Sequence, residues 1–276
     1  DLGRLETRRD EKAAMASRSG QLKIIERGRK AVAESDGRRK VAVLGFVGGS
    51  VLPVALLLLL GLMDHRYHYS EETRADMSGM PLLGILPNLP DRLTDPEQAA
   101  TAAHCVHQIR TMLQLSRGVD THAYAVTSAA PAEGKTSLTL ALGLSFAAAG
   151  SHTLLIDTDL IGAGLTARLD MTGPEGILEA MANHTIMDYV RTTDIADLSV
   201  LPVGQAQAHH AGLFSPAGLR RLLAEAKKQY EVVLIDTGPI LGSIEATPVA
   251  AAADAVILCV SRGQQRPLVE KSLHHL

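Results

Sequence analysis

The sequence predicts an α/β fold: a mostly parallel sheet covered by helices on both faces, preceded by an apolar helix long enough to cross a membrane. Three observations carry that prediction. Continuous apolar runs of strand length, among them "HTLLID", "EVVLID" and "AVILCV", lack the alternation of half-exposed strands. Amphipathic segments of helical period separate them, the pattern of a sheet sheltered on both sides. One stretch, "VAVLGFVGGSVLPVALLLLLGLM" at 41–63, has 23 residues with no charge and a single hydroxyl, Ser50.

Composition sets the outer limits. The chain has 276 residues, 46 % of them apolar but unevenly spread, so the part outside the apolar stretch amounts to one ordinary domain. A net charge of −3 argues against general nucleic-acid binding, which favours a strongly basic surface. Cys105 and Cys259 are too few and too distant for a disulfide framework or a metal cluster. Cys259 falls in an apolar strand, where a buried small hydrophobe is expected. The start at Asp1 rather than Met is read as an internal position of a longer or processed protein.

Residues 1–40 are a polar juxtamembrane segment. Their first 35 positions are rich in charge and alanine and show only a ragged apolar stripe (Leu22, Ile24, Ile25, Val32). As a helix, 41–63 would be about 34 Å long against a hydrocarbon core of about 30 Å. Pro53 is tolerated in such a helix. The polar residues before it, with no cleavage motif after it, argue against a signal peptide. A buried core helix is the alternative. Residues 64–98 form a linker with Pro81, Pro87, Pro90 and Pro96, in which "LLGILP" is expected to add an edge strand or to pack extended.

Residues 99–276 hold the domain. Its first segment, 99–117, reads as a helix with Ala102, Val106, Ile109 and Leu113 on one face. "AYAVTS" (123–128) then opens the strand and helix alternation, followed by a loop and a helix across 135–149 and a strand at 152–157. Next come a short helix at "GILEAMA" and a strand at "LSVLPVG". The helix of "SPAGLRRLLAEAKKQY" has a Ser215 cap and Pro216 at its first position. Strands at 231–236 and 255–260 complete the pattern. Ligands of such folds gather at the carboxyl ends of the strands.

The chemistry lies at those ends. Window 129–136, A-A-P-A-E-G-K-T, approximates the phosphate loop G-x-x-x-x-G-K-[ST], with Ala129 in place of the first glycine. It follows a strand and opens a helix, so backbone N–H groups from Ala132, Glu133, Gly134 and the first helical turn would point at phosphates. Lys135 supplies a point charge for the β- and γ-phosphates, Thr136 a hydroxyl for Mg²⁺, and Ser137 a hydrogen bond to the α-phosphate. Gly134 permits close backbone approach. A chance "GKT" at a strand–helix turn is the alternative reading. Asp157, Asp159 and Asp236 end two strands at the same edge, and a hard cation wants such oxygen ligands beside phosphates. Singly, each aspartate also suits a turn cap. Together with Lys135 they point to a P-loop NTPase-like domain binding ATP and Mg²⁺. Ala130 stands where partition and cell-division-site ATPases carry an additional lysine, which disfavours a dimer built by lysine exchange.

Four stretches, "TSAAPAEGKTS" (127–137), "LLIDTDL" (154–160), "LSVLPVG" (198–204) and "YEVVLIDTGPIL" (230–241), resemble the bacterial tyrosine kinases of the polysaccharide co-polymerase type. In these a P-loop autokinase domain is fused to a chain-length determinant membrane module. The resemblance spans nearly all of 41–270. It implies an ATP-dependent protein-tyrosine autokinase that modifies a C-terminal tyrosine cluster of a neighbouring subunit and controls capsule or exopolysaccharide chain length, synthesis and export. Residue by residue it implies Lys135, Asp157 and Asp159 as catalytic, 132–137 as the nucleotide loop, and Thr136, Asp159 and Asp236 as metal-binding. It further implies homo-oligomer neighbours, polysaccharide polymerisation and export proteins and a tyrosine phosphatase as partners. The expected location is the inner membrane with the kinase domain in the cytoplasm. Flanking charges (Arg38, Arg39 and Lys40 before the run, Arg66 after it) slightly favour the opposite orientation, and the nucleotide site decides for residues 64–276 in the cytoplasm.

The chain departs from the family in several places. Alanine stands at 132, and Ile161, Gly162 and Ala163 replace an arginine pair and a proline. His104-x-x-His107-x-x-Arg110 replaces an oligomerising Glu-x-x-Arg-x-x-Arg, which is expected to weaken the ring or make it pH-sensitive. Gly238 replaces a proline in the turn after Asp236, and no tyrosine follows Tyr230. A degenerate nucleotide-binding or non-catalytic scaffold for polysaccharide assembly, or another membrane-tethered P-loop ATPase, stays open. Tyr124, Tyr189 and Tyr230 are read as packing residues, the histidines at 209, 210, 274 and 275 as surface positions, and Lys227 and Lys228 as a solvated helix end. Arg262, after the last strand, lies in a plausible adenine region.

Overall fold

Residues 2–17, 37–63, 66–67, 79–87, 96–117, 122–205 and 214–276 are described by a computed structural model, in which contacts divide the chain into Asp1–Met63 and Asp64–Leu276. The apolar stripe of residues 22–32, Pro90 and the histidines at 209 and 210 lie outside the described residues.

The first unit holds α1 (Leu2–Ser17) and α2 (Gly37–Met63). Within α2, Gly37–Gly61 is long and apolar enough to cross a membrane, and none of it is buried in protein. Ser50 returns its hydroxyl to the helix, donating to the Phe46 carbonyl at 2.7 Å, so the one polar side chain of the run needs no external partner.

In the second unit the apolar runs become strands and the amphipathic segments become helices, as their periods require. The order is α3 (Pro96–Arg117), β1 (His122–Ser128), α4 (Lys135–Ala148), β2 (Thr153–Asp157), α5 (Gly164–Arg168) and α6 (Ile177–Asn183). There follow β3 (Arg191–Thr192), β4 (Leu198–Leu201), α7 (Pro216–Ala226), β5 (Val232–Asp236), α8 (Ala246–Ala252), β6 (Ala255–Cys259) and α9 (Arg266–His275). The sheet order is β3-β4-β2-β5-β1-β6, parallel except for the antiparallel β3.

Period 2 divides each central strand between two cores. Ala123, Ala125, Leu154, Ile156, Val233 and Ile235 face the layer of α6, α7 and α8. Tyr124, Val126, Leu155 and Leu234 face Leu138, Leu142 and Phe146 of α4 and Val106, Ile109 and Leu113 of α3. Ala102 is buried as well, so the predicted stripe of α3 is the buried one. Ser215 caps α7 by accepting the Gly218 N–H at 3.1 Å, ahead of Pro216.

Several expectations are refined. Residues 81–87 form no strand; Leu83 and Leu86 pack against the α3–α4 core, which is the extended alternative. The strand of "LSVLPVG" stops at Leu201, because Pro202 has no N–H to continue the ladder. Cys259 is partly exposed rather than fully buried. Lys227 is anchored on Asp254, while Lys228 is exposed as expected. His107 Nδ1 meets Ser145 Oγ at 2.6 Å and Arg110 donates to the Ser145 carbonyl at 3.4 Å, so both engage α4 of their own chain. Tyr67 is buried against Ala129 and Val269, and pairs through its backbone with Gly263 and Gln264.

Candidate nucleotide site

The loop 129–134 leaves the buried end of β1 and turns twice into the left-handed region, at Ala132 (φ 62°) and Gly134 (φ 80°). Glycine accepts that conformation without cost; at Ala132 the Cβ is strained. The double turn delivers the chain into α4 at Lys135, whose N-terminus has no side-chain cap. The first-turn N–H groups are therefore free of intrahelical acceptors and of a capping oxygen, the condition for holding an anion.

The Glu133 side chain turns back under this loop. Its Oε2 accepts the Ala130 N–H at 3.4 Å, and burial raises its carboxyl above the ordinary range against backbone N–H groups, Ser128 and Lys135. Its Oε1 has no hydrogen-bond partner among the described residues, but a carboxylate repels phosphate, so Glu133 offers a phosphate its backbone N–H alone. Lys135 is 7 % exposed, and its carbonyl accepts the Thr139 hydroxyl, which also reaches Asp236 Oδ1 at 3.4 Å. That hydroxyl ties the first turn of α4 to the end of β5.

Asp236 and Asp157 end their strands fully buried and in register. Asp157 is satisfied: Oδ2 accepts the Thr166 N–H at 2.8 Å and the Thr166 hydroxyl at 2.7 Å, and Oδ1 accepts the Asp159 N–H at 3.1 Å. Burial raises its carboxyl, opposed by those bonds. Asp236 Oδ2 has no hydrogen-bond partner among the described residues. Its carboxyl is pushed up to about 7 by burial, with the Thr136 hydroxyl and Lys135 drawing it down and the charges of Asp157 and Asp159 adding to the rise. Asp159, half-buried, accepts the Ile161 and Gly162 N–H groups at 3.2 and 2.8 Å through Oδ1.

The structure thus brings Lys135, Thr136, Asp157, Asp159 and Asp236 to one edge of the sheet. Among the described residues, no three His, Cys, Asp or Glu side chains converge closely enough to hold a metal ion unaided. Magnesium does not require that, because it keeps several waters and is held by one or two carboxylates plus phosphate oxygens. The orphaned oxygen of Asp236, beside a hydroxyl and a lysine, fits such a cation. A concavity lined by Met181, His184, Ser215 and Arg221 lies instead against α6 and α7, away from these acids. It carries no cluster of carboxylates, so the strand ends remain the better site.

Sequence reasoning missed two neighbours. Arg168 of α5 donates to Ser137 Oγ at 2.7 Å, which puts a guanidinium beside the first turn of α4 although Ile161–Ala163 carry no charge. Its distance from "DTDL" and the lack of a motif hid it. Glu245 is 2 % exposed; burial raises its carboxyl and the charge of Asp159 adds to the rise, and its isolated position in the sequence gave no signal.

Comparison with known proteins follows the same lines. The AAA domain family matches residues 125–266. Tyrosine-protein kinase CpsD of Streptococcus agalactiae is 30 % identical over 178 residues, 63 % of this chain and 77 % of that protein. Succinoglycan biosynthesis transport protein ExoP of Rhizobium meliloti is 28 % identical over 59 % of this chain and 21 % of its own, longer chain. The solved VpsO kinase domain has a TM-score of 0.56 and 29 % identity, covering 64 % of this chain and 88 % of that domain.

Proposed function

The chain belongs to the AAA-domain family and, within it, to the bacterial tyrosine-protein kinases, and from that premise we propose a membrane-tethered, ATP-dependent protein-tyrosine kinase acting in polysaccharide synthesis and export. The observation that carries the reading is the fully buried Asp236 at the end of β5, whose Oδ2 has no hydrogen-bond partner among the described residues and whose carboxyl feels the Thr136 hydroxyl and the Lys135 charge.

In this reading Lys135 and the backbone of residues 132–137 hold the phosphates of ATP, with Ser137 and Arg168 alongside. Thr136 and Asp236 would hold Mg²⁺, directly or through its waters, and Asp159 would reach it through a water. Bound Mg²⁺ supplies charge neutralisation at the phosphates. The family resemblance implies Asp157 as the base or metal-linked carboxylate near the acceptor hydroxyl; because both its oxygens are engaged and one holds the backbone of Asp159, we assign it a positioning role and give the base role to Asp159. The half-buried Asp159 accepts the proton of the tyrosine hydroxyl as that oxygen bonds to the γ-phosphorus and ADP departs. Most of the rate gain is positioning and charge stabilisation.

The same proposal places 1–40 outside the cytoplasmic membrane as the end of a chain-length determinant module, 41–63 across it, and the linker 64–98 and the domain 99–276 in the cytoplasm. Neighbouring subunits, polysaccharide polymerisation and export proteins and a tyrosine phosphatase are its partners. A second reading, a nucleotide-binding regulator without phosphoryl transfer, draws on the strained Ala132 and on Gly238. The two separate when purified full chain is incubated with γ-labelled ATP, Mg²⁺ and a tyrosine-containing acceptor polypeptide. The kinase reading expects phosphotyrosine in the wild type and little in Lys135→Met or Asp157→Asn; equal label in all three sinks it.

A further inference from the structure

Glu245, which immediately precedes α8, is 2 % exposed although it sits on a loop at the rim of the sheet. A carboxylate in such surroundings is strongly disfavoured unless its oxygens find donors. Its neighbours are its own backbone N–H, the Ser243 hydroxyl and the Leu160 N–H, yet Oε1 has no hydrogen-bond partner among the described residues. The location of that oxygen is defined from the β5 side: a Cβ built on Gly238, two residues beyond Asp236, would lie 3.0 Å from it. On the other side, Leu160 adjoins Asp159, whose charge acts on the Glu245 carboxyl. Glu245 therefore stands between the two loops that present Asp159 and Asp236, and Asp236 Oδ2, like Glu133 Oε1 of the phosphate loop, is another buried carboxylate oxygen without a donor among the described residues.

Buried carboxylate oxygens without a donor, such as Asp236 Oδ2 and Glu245 Oε1, are poorly served by protein alone and well served by a hydrated divalent cation, whose waters are donors and reach beyond direct ligands. We propose that Glu245 is a further residue of the metal–nucleotide site: Oε1 accepts from a water of the hydrated cation, while the carboxylate holds the Leu160 backbone, and with it the Asp159 loop, against the turn after Asp236. This rests on the kinase reading and deepens it. It also accounts for Gly238, because a side chain there would invade the space of Ser243 and Glu245.

The test is titration of the full chain in detergent with a fluorescent ADP analogue, with Mg²⁺ and with chelator. Glu245→Gln keeps the shape and removes the charge. It is expected to lower the Mg²⁺-dependent gain in affinity by about tenfold, the usual scale for a residue behind a metal's ligands, and to leave the chelator value unchanged. Should that variant fail to fold, Ser243→Ala, which frees the carboxylate, is expected to lower the same gain. An unchanged Mg²⁺ dependence, or an equal loss with and without Mg²⁺, overturns the proposal. A wild-type chain that binds no nucleotide in either condition overturns the reading of the whole site, and this proposal with it.

Discussion

Asp157 and Asp236 stand opposite each other at the last paired position of two adjacent parallel strands, and neither is accessible to solvent. Like charges there repel across a sheet that water does not enter. Thr166 and the Asp159 backbone relieve Asp157, whereas Asp236 depends on Thr136, Thr139 and Lys135. The strain of the pair is what a bound cation would relieve.

That relationship has a pH signature. The Asp236 carboxyl titrates at about 7 in the folded chain against 3.8 in an ordinary setting, so the folded state binds this proton more tightly than the unfolded state. Stability therefore falls as pH rises from about 4 to about 7 and levels off above, by on the order of a few kcal/mol for this group. Burial raises Asp157, Glu133 and Glu245 in the same direction, while Asp254 acts oppositely through Lys227. Urea midpoints of the full chain in detergent, without divalent cations, should decline across that window, and Asp236→Asn should flatten the decline. A midpoint that climbs with pH in both chains would reject the buried pair.

Ala132 carries a left-handed φ of 62° that suits glycine. Ala132→Gly removes Cβ strain of about 1–2 kcal/mol and loses part of it to the greater freedom of an unfolded glycine. The expected net gain is about 0.5–1 kcal/mol, read as a higher urea midpoint, together with unchanged or tighter ATP binding. A loss of stability would show that the loop is not held as described.

At Gly238 a Cβ would lie 1.9 Å from Ser243 Oγ and 2.6 Å from its Cβ. Gly238→Ala should therefore cost about 1–3 kcal/mol as an overpacking change. The double variant with Ser243→Gly should recover part of that cost, a coupling expected of residues in contact. Additive losses in the double variant would mean that the turn, rather than this contact, demands glycine.

The helix α2 exposes its apolar length within the chain itself. Expressed in bacteria, the full chain should remain with membranes after alkaline extraction, and a variant lacking 37–63 should be released. Release of the intact chain by alkali would make this segment something other than a membrane span.

Much of this architecture was legible in the sequence because local signals and tertiary demands agree. The buried strands are long apolar runs, the α3 stripe repeats at helical spacing, and Ser215–Pro216 is a start signal that the structure uses. The loop, Lys135 and the strand-end aspartates were legible for the same reason, each being tied to a strand–helix junction. What escaped depends on contacts between distant segments. The two-residue β3 has no pattern long enough to detect, and α5 and α8 are too short for a period. Arg168 and Glu245 gain their meaning only when α5 and the turn after β5 are folded against Ser137 and the Asp159 loop. Cys259 packs against the core as expected, and burial pushes its thiol up to about 12, but it keeps some exposure because β6 is an edge strand.

Metal binding interrogates the site most directly. Mn²⁺, which can replace Mg²⁺ and is visible by electron paramagnetic resonance, should bind the full chain at one tight site when ATP is present. Lys135→Met and Asp236→Asn should each weaken that site by about tenfold or more while leaving the fold intact. Binding of Mn²⁺ and ATP that is the same in all three chains, or absent from the wild type, would contradict the claim that Lys135 and the strand-end carboxylates serve one nucleotide.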